Sequence, residues 1–198
     1  MINTFIGVGH LIQPFEQIPG TNRKQSYLEV QLATKTVTLP VTIDNHTTLS
    51  EDFSWLKRVA VEGSVRSYCE KEGDKNRNRI HCHLDKIRLA YSSEDDMSFV
   101  HMQGTCAIKT YSCEKAGKPN AQNVVKIDHG NRHYYIPTVA WSGAAKYLTA
   151  AAKDSFVDVN GTLISRQYIK PNENGEPITY TTYEVVVSRI IPITKGEI

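Results

Sequence analysis

The chain has 198 residues, of which 40% are hydrophobic and 22% are charged, a composition typical of a globular protein and not of a disordered chain. Its formal net charge of +2 is too small to indicate a nucleic-acid partner, so a binding surface must come from local placement of charge. No apolar run approaches the roughly 20 residues of a spanning helix. The amino terminus, MINTFIGVGHLIQPFE, has no secretory signal pattern. We therefore expect a cytoplasmic location and no membrane partner.

The first half of the chain has strand patterns throughout. Strands are predicted at residues 2–12, 26–34, 35–43, 58–68 and 80–89 from alternating or β-branched sequence. Gly7 and Gly9 suggest a strand that bends at a barrel corner, and residues 14–25 read as a loop. The segment SEDFSWLK at 50–57 predicts one short helix, in which Trp55 packs toward the core.

The sequence repeats itself after roughly 95 residues. VAVEG at 59–63 matches VDVNG at 157–161, and in both copies a strand, a glycine-containing turn and a closing strand follow. At the front, residues 5–9 parallel residues 99–104, with an alternating strand after them at 123–128. We predict two copies of one five-strand domain, at residues 1–92 and 97–195, on either side of the polar segment YSSEDD.

The glycine inside the repeated motif has two readings. Asn160-Gly161 between apolar runs could be a hairpin turn. The first copy has Glu62-Gly63 there, which is a poor turn of that type, so a bend or bulge inside one continuous strand is predicted for both copies. Asn174-Gly175 is then the hairpin turn of the second copy.

The order of elements is strand, strand, strand, helix, strand, strand, which is the order of an OB-fold, a five-stranded Greek-key barrel. We predict an all-β protein with short helices, built of two tandem OB-folds. The helix of the second copy is expected at 143–153, capped by Ser142 and plugging one end of the barrel. Its apolar stripe consists of Ala144, Ala145, Leu148, Ala151 and Ala152. The first copy has only SEDFSWLK at this place.

These segments resemble bacterial single-stranded DNA-binding proteins of the SSB type. YYIPTVAWSGAAKYL, FVDVNGTLISRQY and TTYEVVV carry the resemblance in the second copy, and MINTFIGVGHLIQPFE with YLEVQLAT carries it in the first. The resemblance implies single-stranded DNA as the partner, in replication, recombination or repair. It also implies a homodimer that supplies four OB domains, and replication or recombination proteins as further partners. The family usually ends in a tail with an acidic tip; this sequence stops at IPITKGEI, and if it is complete we expect no recruitment through such a tip.

The resemblance places Tyr135, Trp141 and Tyr168 where the family has base-stacking aromatics. A barrel groove binds single strands by offering aromatic faces to bases and cations to phosphates. Strand alternation puts Tyr135, Pro137, Val139 and Trp141 on one face and Ile136, Thr138 and Ala140 toward the core. Only one of the adjacent Tyr134 and Tyr135 can face the groove, and Trp141 could instead be a core residue. The candidate cations of this copy are Arg166, Lys170, Lys126 and Arg132.

The first copy has poorer matches to these positions. Glu70 stands where the second copy has Tyr168, and we expect Tyr68 and Arg66 to substitute for it. The hairpin KEGDKNRNR contributes Lys75, Arg77 and Arg79, which either clamp phosphates or form an ordinary solvated turn.

The remaining chemistry-bearing residues indicate no cofactor. Four cysteines are too few and too irregularly spaced for a disulfide framework, so free thiols are expected. Cys69, His81 and His83 could meet across one hairpin, but a fourth zinc ligand is lacking and Cys82 points to the opposite face. Neither a phosphate-cradling loop nor a nucleophile elbow is present, so we predict that the protein is not an enzyme. Two alternatives remain open: an OB-fold adaptor that binds a replication or recombination protein, and an RNA-binding protein.

Overall fold

A computed structural model describes residues 1–47, 57–72, 75–115, 117–171 and 175–193 of the chain. The predicted helix at 50–57, with Trp55, lies outside the described residues except for Lys57, and so does Asn174 of the predicted hairpin turn. The strands of the first repeat are β1 (Asn3–Leu11), β2 (Glu16–Gln17), β3 (Arg23–Gln31), β4 (Thr36–Asp44), β5 (Arg58–Glu72) and β6 (Lys75–Leu89). Those of the second repeat are β7 (Met97–Cys106), β8 (Tyr111–Lys115), β9 (Lys118–His129), β10 (Arg132–Trp141), β11 (Phe156–Pro171) and β12 (Pro177–Ile193), with the helix α1 (Ser142–Ala150) between β10 and β11.

The strands form two closed barrels within one hydrogen-bonded sheet. The order in the first repeat is β2-β3-β4-β6-β5-β1, and β1 also pairs with β3; the second repeat has β7-β11-β12-β10-β9-β8, and β7 also pairs with β9. In each repeat one parallel contact, β4 with β6 or β10 with β12, closes the barrel. This is the five-stranded topology of the OB-fold. The predicted fold class is confirmed.

The glycine bulge is confirmed in both repeats. The register of β5 with β6 shifts between Glu62 and Gly63, and that of β11 with β12 shifts between Asn160 and Gly161. At both places the chain continues as one strand. A Cβ on Gly63 would lie 2.0 Å from the carbonyl oxygen of His83, and one on Gly161 would lie 2.4 Å from that of Val186. Only glycine permits so close an approach of two backbones.

The two repeats join edge to edge through their first strands. β1 pairs antiparallel with β7, and Phe5 lies opposite Val100 with both side chains fully buried. Gly9 approaches the carbonyl of Glu29 as Gly104 approaches that of Lys126, so these two glycines occupy equivalent places. Phe5 therefore corresponds to Val100, and the expected match of Phe5 with Phe99 is wrong by one residue.

Two hydrogen bonds between the repeats, each from a backbone N–H to a serine side chain, are reciprocal. The N–H of Tyr135 donates to Ser67 Oγ at 2.7 Å, and the N–H of Thr38 donates to Ser165 Oγ at 3.3 Å. Tyr135 in YIP and Thr38 in TLP hold the same place in their barrels, and the two serines hold the same place relative to the bulges. Such an exchange of equivalent contacts is the signature of an interface with two-fold symmetry.

Helix α1 begins one residue earlier and ends three residues earlier than predicted. Ala145, Leu148 and Ala151 are buried and α1 packs on β9, β10 and β12, so most of the apolar stripe contacts the barrel as expected. Ala152, however, is exposed. The predicted cap is wrong: Trp141 holds the N-cap position, no side chain caps the helix, and Ser142 is its first residue with φ of 51°.

Two strands were not predicted, and the acidic connecting segment makes hydrogen bonds with the first barrel. β2 is only two residues long, and β8 is largely exposed, so neither has the alternation that marks a strand. In the acidic segment, Arg58 donates to Asp96 at 2.8 Å and to the carbonyl of Tyr91 at 3.0 Å.

No helix in the described ranges is long and apolar enough to cross a membrane.

Candidate nucleic-acid interface

Strand β10 presents two of the predicted aromatic residues to solvent. Tyr135 is 43% exposed and Trp141 is 37% exposed, while Tyr134 is only 5% exposed. Ile136, Thr138 and Ala140 are buried in the barrel, as their parity predicts. Val139 lies on the same face as Tyr135 but is covered. Trp141 is therefore a surface residue at the start of α1, and Tyr135 is the member of the tyrosine pair that faces outward.

The third predicted aromatic belongs to a stacked pair. Tyr168 on β11 lies opposite Tyr180 on β12, and their rings stack with centroids 5.6 Å apart and planes 20° apart. The ammonium of Lys170 lies 5.3 Å from the Tyr168 ring. The guanidinium of Arg77, from the hairpin of the other repeat, lies 4.8 Å from the Tyr180 ring. Cations held over aromatic faces add to stacking platforms for bases. Tyr180 was not predicted, although the turn at Gly175 places it opposite Tyr168.

The other cations of the second repeat differ in their partners. Lys126 contacts Asp128 at 3.1 Å, and Arg166 lies 3.6 Å from Glu184. Hydrogen bonds from Lys126 and from His133 lower the pKa of Asp128. Arg132 is exposed at the start of β10 and has no ion pair within the described part of the chain. The full charge of Arg132 is therefore available to a ligand.

In the first repeat the predicted residues lie on the β5–β6 hairpin. Tyr68 is 45% exposed, and its ring contacts that of His81 with centroids 5.6 Å apart. Burial and the nearby Glu70 raise the pKa of Tyr68. Arg79 donates to Glu70 at 2.6 Å, so this arginine is balanced by an acid. Only the backbone of Lys75 is described, and it pairs with Glu72.

The equivalence of the barrels shows what the first repeat has at the three aromatic positions. Because Pro40 and Pro137 occupy the same place in β4 and β10, Tyr135 corresponds to Thr38 and Trp141 corresponds to Asp44. The matching bulges make Tyr168 correspond to Glu70, as the sequence predicted. The strand pairings also put Glu29 opposite Thr38 where Lys126 lies opposite Tyr135. The first repeat thus has acids at three places where the second has two aromatics and a cation.

The histidines of β6 are internal. His81 and His83 are 3% and 4% exposed, and Cys82 between them is fully buried, so both faces of the strand are covered here. Arg23 Nη1 donates to His81 Nε2 at 3.3 Å, and His83 Nδ1 lies 3.3 Å from Thr42 Oγ1. Burial, with Arg23 as the next cause, lowers the pKa of His81 to about 3. Cys69 is exposed, and the described residues contain no cluster of three or more metal-ligating side chains.

Two depressions lie where the repeats meet. The larger, here called the junction cleft, has a volume of about 850 Å³ and is lined by Tyr27, Tyr68, Arg79 and His81 of the first repeat and by Tyr180 and Tyr183 of the second. Burial raises the pKa of Tyr183 to about 12. The smaller, here called the arginine pocket, has a volume of about 260 Å³ and contains Arg23, Arg66 and Arg132 with His133. Tyr68 and His81 line both depressions.

Fold and surface together define the class of this protein as a tandem OB-fold whose second barrel exposes Tyr135 and Trp141. Among solved structures it is similar to the wild-type single-stranded DNA binding protein from Thermus aquaticus, with a TM-score of 0.77 and 15% identity over 100% of this chain and 95% of that one. A deletion mutant of the same protein gives a TM-score of 0.78 and 14% identity over 98% of this chain and 96% of that one. At this identity the likeness shows a shared fold that includes both repeats. No protein-family model matches the chain, and no curated protein is similar to it in sequence.

Proposed function

We propose that the protein binds single-stranded DNA with little sequence preference, in replication, recombination or repair. The observation that carries the proposal is the aromatic surface of the second repeat, formed by Tyr135, Trp141 and the Tyr168–Tyr180 stack. Stacking contributes about 1–3 kcal/mol per base and is sequence-tolerant because every base has a π-face. Lys170, beside the stack, can contact the backbone phosphates.

The likeness to the Thermus aquaticus protein supports the proposal, because that protein binds single-stranded DNA according to its name and shares this fold. The proposed division into domains at residues 1–92 and 97–195 follows the two barrels. Binding, not catalysis, is the proposed activity, since stacking and phosphate contact need no reacting group.

Trp141 provides the test. The chain has two tryptophans, so a Trp55→Phe variant leaves Trp141 as the only one. Thymidine oligonucleotides should quench its fluorescence, and the affinity should fall steeply as salt rises. Duplex DNA of the same length should bind much more weakly. Absence of quenching and of a gel shift at low salt and micromolar protein would refute the proposal.

We further propose a homodimer with four barrels, as the family resemblance implies. Strand β8 supports it, because the sheet ends there in the described part of the chain and Tyr111 on this strand is 61% exposed. An edge strand with an exposed aromatic is suited to pairing with another chain. Sedimentation equilibrium should give twice the chain mass of 22.3 kDa, and a monomer mass at working concentration would exclude the dimer.

The same assays separate the alternatives. An RNA-binding protein should prefer uridine oligonucleotides over thymidine oligonucleotides in direct competition, whereas the proposed function requires thymidine to bind at least as tightly. An adaptor should bind DNA weakly and a replication or recombination protein tightly. The adaptor does not need the exposed aromatics of the second repeat, so loss of DNA binding on their removal counts against it. An RNA-binding protein needs them as well, and only the competition between oligonucleotides separates it from the proposal.

A further inference from the structure

We propose that the junction between the repeats is a built subsite for one nucleotide of the bound strand, with its base in the junction cleft and its phosphate in the arginine pocket. This inference rests on the proposed function and adds a place on the molecule to which Tyr180 alone of the stacking aromatics contributes. It assigns the first repeat a role of its own, because that repeat supplies two of the three arginines.

The arginine pocket has the chemistry of a phosphate site. Arg23 and Arg66 come from the first repeat and Arg132 from the second. Within the described ranges, the guanidinium of Arg23 bonds to His81 and that of Arg66 bonds to Ser64, and none of the three arginines has a carboxylate in ion-pair distance. Cations that converge without a counter-charge repel one another. A phosphate, which arginine binds through its planar fork of donors, relieves that repulsion.

The junction cleft has the size and lining of a base site. Its volume of about 850 Å³ lies in the range of roughly 300–1,000 Å³ typical of ligand sites, so a nucleobase with its sugar fits. The rings of Tyr27, Tyr68, Tyr180 and Tyr183 line it from both repeats. Threonine and glutamine side chains complete a largely polar wall, as suits the polar edges of a base.

His81 links the two depressions and has an unused donor. Arg23 donates to His81 Nε2, so this nitrogen is the acceptor of the neutral ring and the proton lies on Nδ1. Nδ1 is buried and has no hydrogen-bond partner in the described part of the chain. A buried donor without a partner costs about 1–3 kcal/mol. An acceptor oxygen of a nucleotide would satisfy it once the Tyr68 ring, which contacts the His81 ring, moves away.

Removal of the arginines tests the phosphate site. In Arg23→Ala/Arg132→Ala, the dissociation constant for a thymidine oligonucleotide that spans both repeats should rise at least tenfold. The slope of log K against log salt should become shallower by about 0.7, the value for one phosphate of a single strand. Arg189→Ala is the matched control, because this arginine is exposed outside both depressions and its loss should leave affinity and slope near those of the parent.

Photocrosslinking tests the base site and does not depend on the stability of a variant. Oligonucleotides that carry 5-iododeoxyuridine should crosslink to Tyr27 or Tyr183 as well as to Trp141. Crosslinks confined to Tyr135, Trp141, Tyr168 and Tyr180, together with unchanged affinity of the double variant, would overturn the subsite and leave the proposed function intact. Failure of the parent protein to bind any oligonucleotide would overturn both. A folded Arg132→Gln variant, confirmed by its melting curve, should show weakened binding, and parental affinity would count against the subsite.

Discussion

The two repeats have the same backbone fold but present different surfaces. At the places where the second repeat has Tyr135, Trp141 and Tyr168, the first has Thr38, Asp44 and Glu70. Both barrels keep the same glycine bulge and the same proline in the strand before the helix position. Packing and backbone geometry are thus common to both repeats, whereas aromatic side chains at these three positions are confined to the second. A duplicated barrel can keep its fold and change its surface, because core and surface are set by different residues of each strand.

The difference also indicates that the two repeats contribute different chemical groups to the surface. The second repeat offers π-faces, and the first offers the guanidinium of Arg77 above Tyr180 together with Arg23 and Arg66 at the junction. The reciprocal hydrogen bonds of Tyr135 and Thr38 hold the two surfaces in a fixed relation. The molecule therefore presents one composite surface, to which each repeat contributes a different chemistry.

The largest expected effect is on stability and concerns the glycine bulge that both repeats have. Gly63→Ala and Gly161→Ala should each lower the free energy of unfolding by about 3 kcal/mol or more, since the new Cβ would meet a backbone oxygen. Gly63→Ala should be the worse, because its contact would be 2.0 Å against 2.4 Å. Urea unfolding measures both. Gly143→Ala, in α1 with no atom within 4 Å, should be neutral or stabilising; equal stability of all three variants would contradict the bulge geometry.

The next effect tests what the repeats do not share. Tyr135→Ala, Trp141→Ala and Tyr168→Ala should each weaken binding of a thymidine oligonucleotide by about 1–3 kcal/mol, roughly 5- to 150-fold, as the loss of one stacking face requires. Titration with a labelled oligonucleotide measures the change. Tyr147→Ala removes a more accessible ring, 61% exposed on α1, and should bind like the parent. If all four variants weaken binding alike, the aromatic surface is not specific to these positions.

The buried His81 of the first repeat should make the free energy of unfolding fall at acid pH. The folded protein holds the pKa of His81 at about 3, below its ordinary value of 6.5, so the unfolded chain binds more protons between these values. The contribution of His81 to the free energy of unfolding is fully present above pH 6.5. It is lost as the pH falls toward 3, by about 1.4 kcal/mol per pH unit. Burial lowers the pKa of His83 as well, which adds to the effect.

Urea unfolding at pH 7 and pH 5.5 of the parent and of His81→Gln measures this dependence. The variant should lose less stability between the two values than the parent does. Replacement of an exposed histidine, in His46→Gln, should leave the loss of stability between pH 7 and pH 5.5 as it is in the parent. A parental pH response in His81→Gln would show that His81 is not responsible.

The smallest effect reverses part of the difference between the repeats. Glu70→Gln removes the acid that offsets Arg79 at 2.6 Å, and binding of single strands should tighten by up to about 1 kcal/mol, roughly fivefold, with a steeper salt dependence. Glu62→Gln on the same strand removes the acid that pairs with Lys86 at 3.0 Å and should change the affinity less. Equal gains in both variants would mean that only net charge matters.

Local sequence was sufficient for much of the fold and part of the site. The bulges at Gly63 and Gly161 followed from comparison of the two copies, and the outward positions of Tyr135 and Trp141 followed from alternation in β10. The cap of α1 did not follow, because Ser142 adopts a positive φ and its side chain makes no capping bond. The exposed edge strand β8 was missed since no buried face imposes a pattern on it.

The sequence by itself determined the repeated barrel, its glycine bends and the aromatic surface of the second repeat, because these depend on periodicities of a few residues and on a comparison between copies. Only the tertiary structure decided which residues of the first repeat meet those of the second. The stack of Tyr168 on Tyr180, the cation of Arg77 above it and the convergence of Arg23, Arg66 and Arg132 depend on strand register and on the pairing of β1 with β7. Those relations join residues far apart in the chain, and no local pattern encodes them.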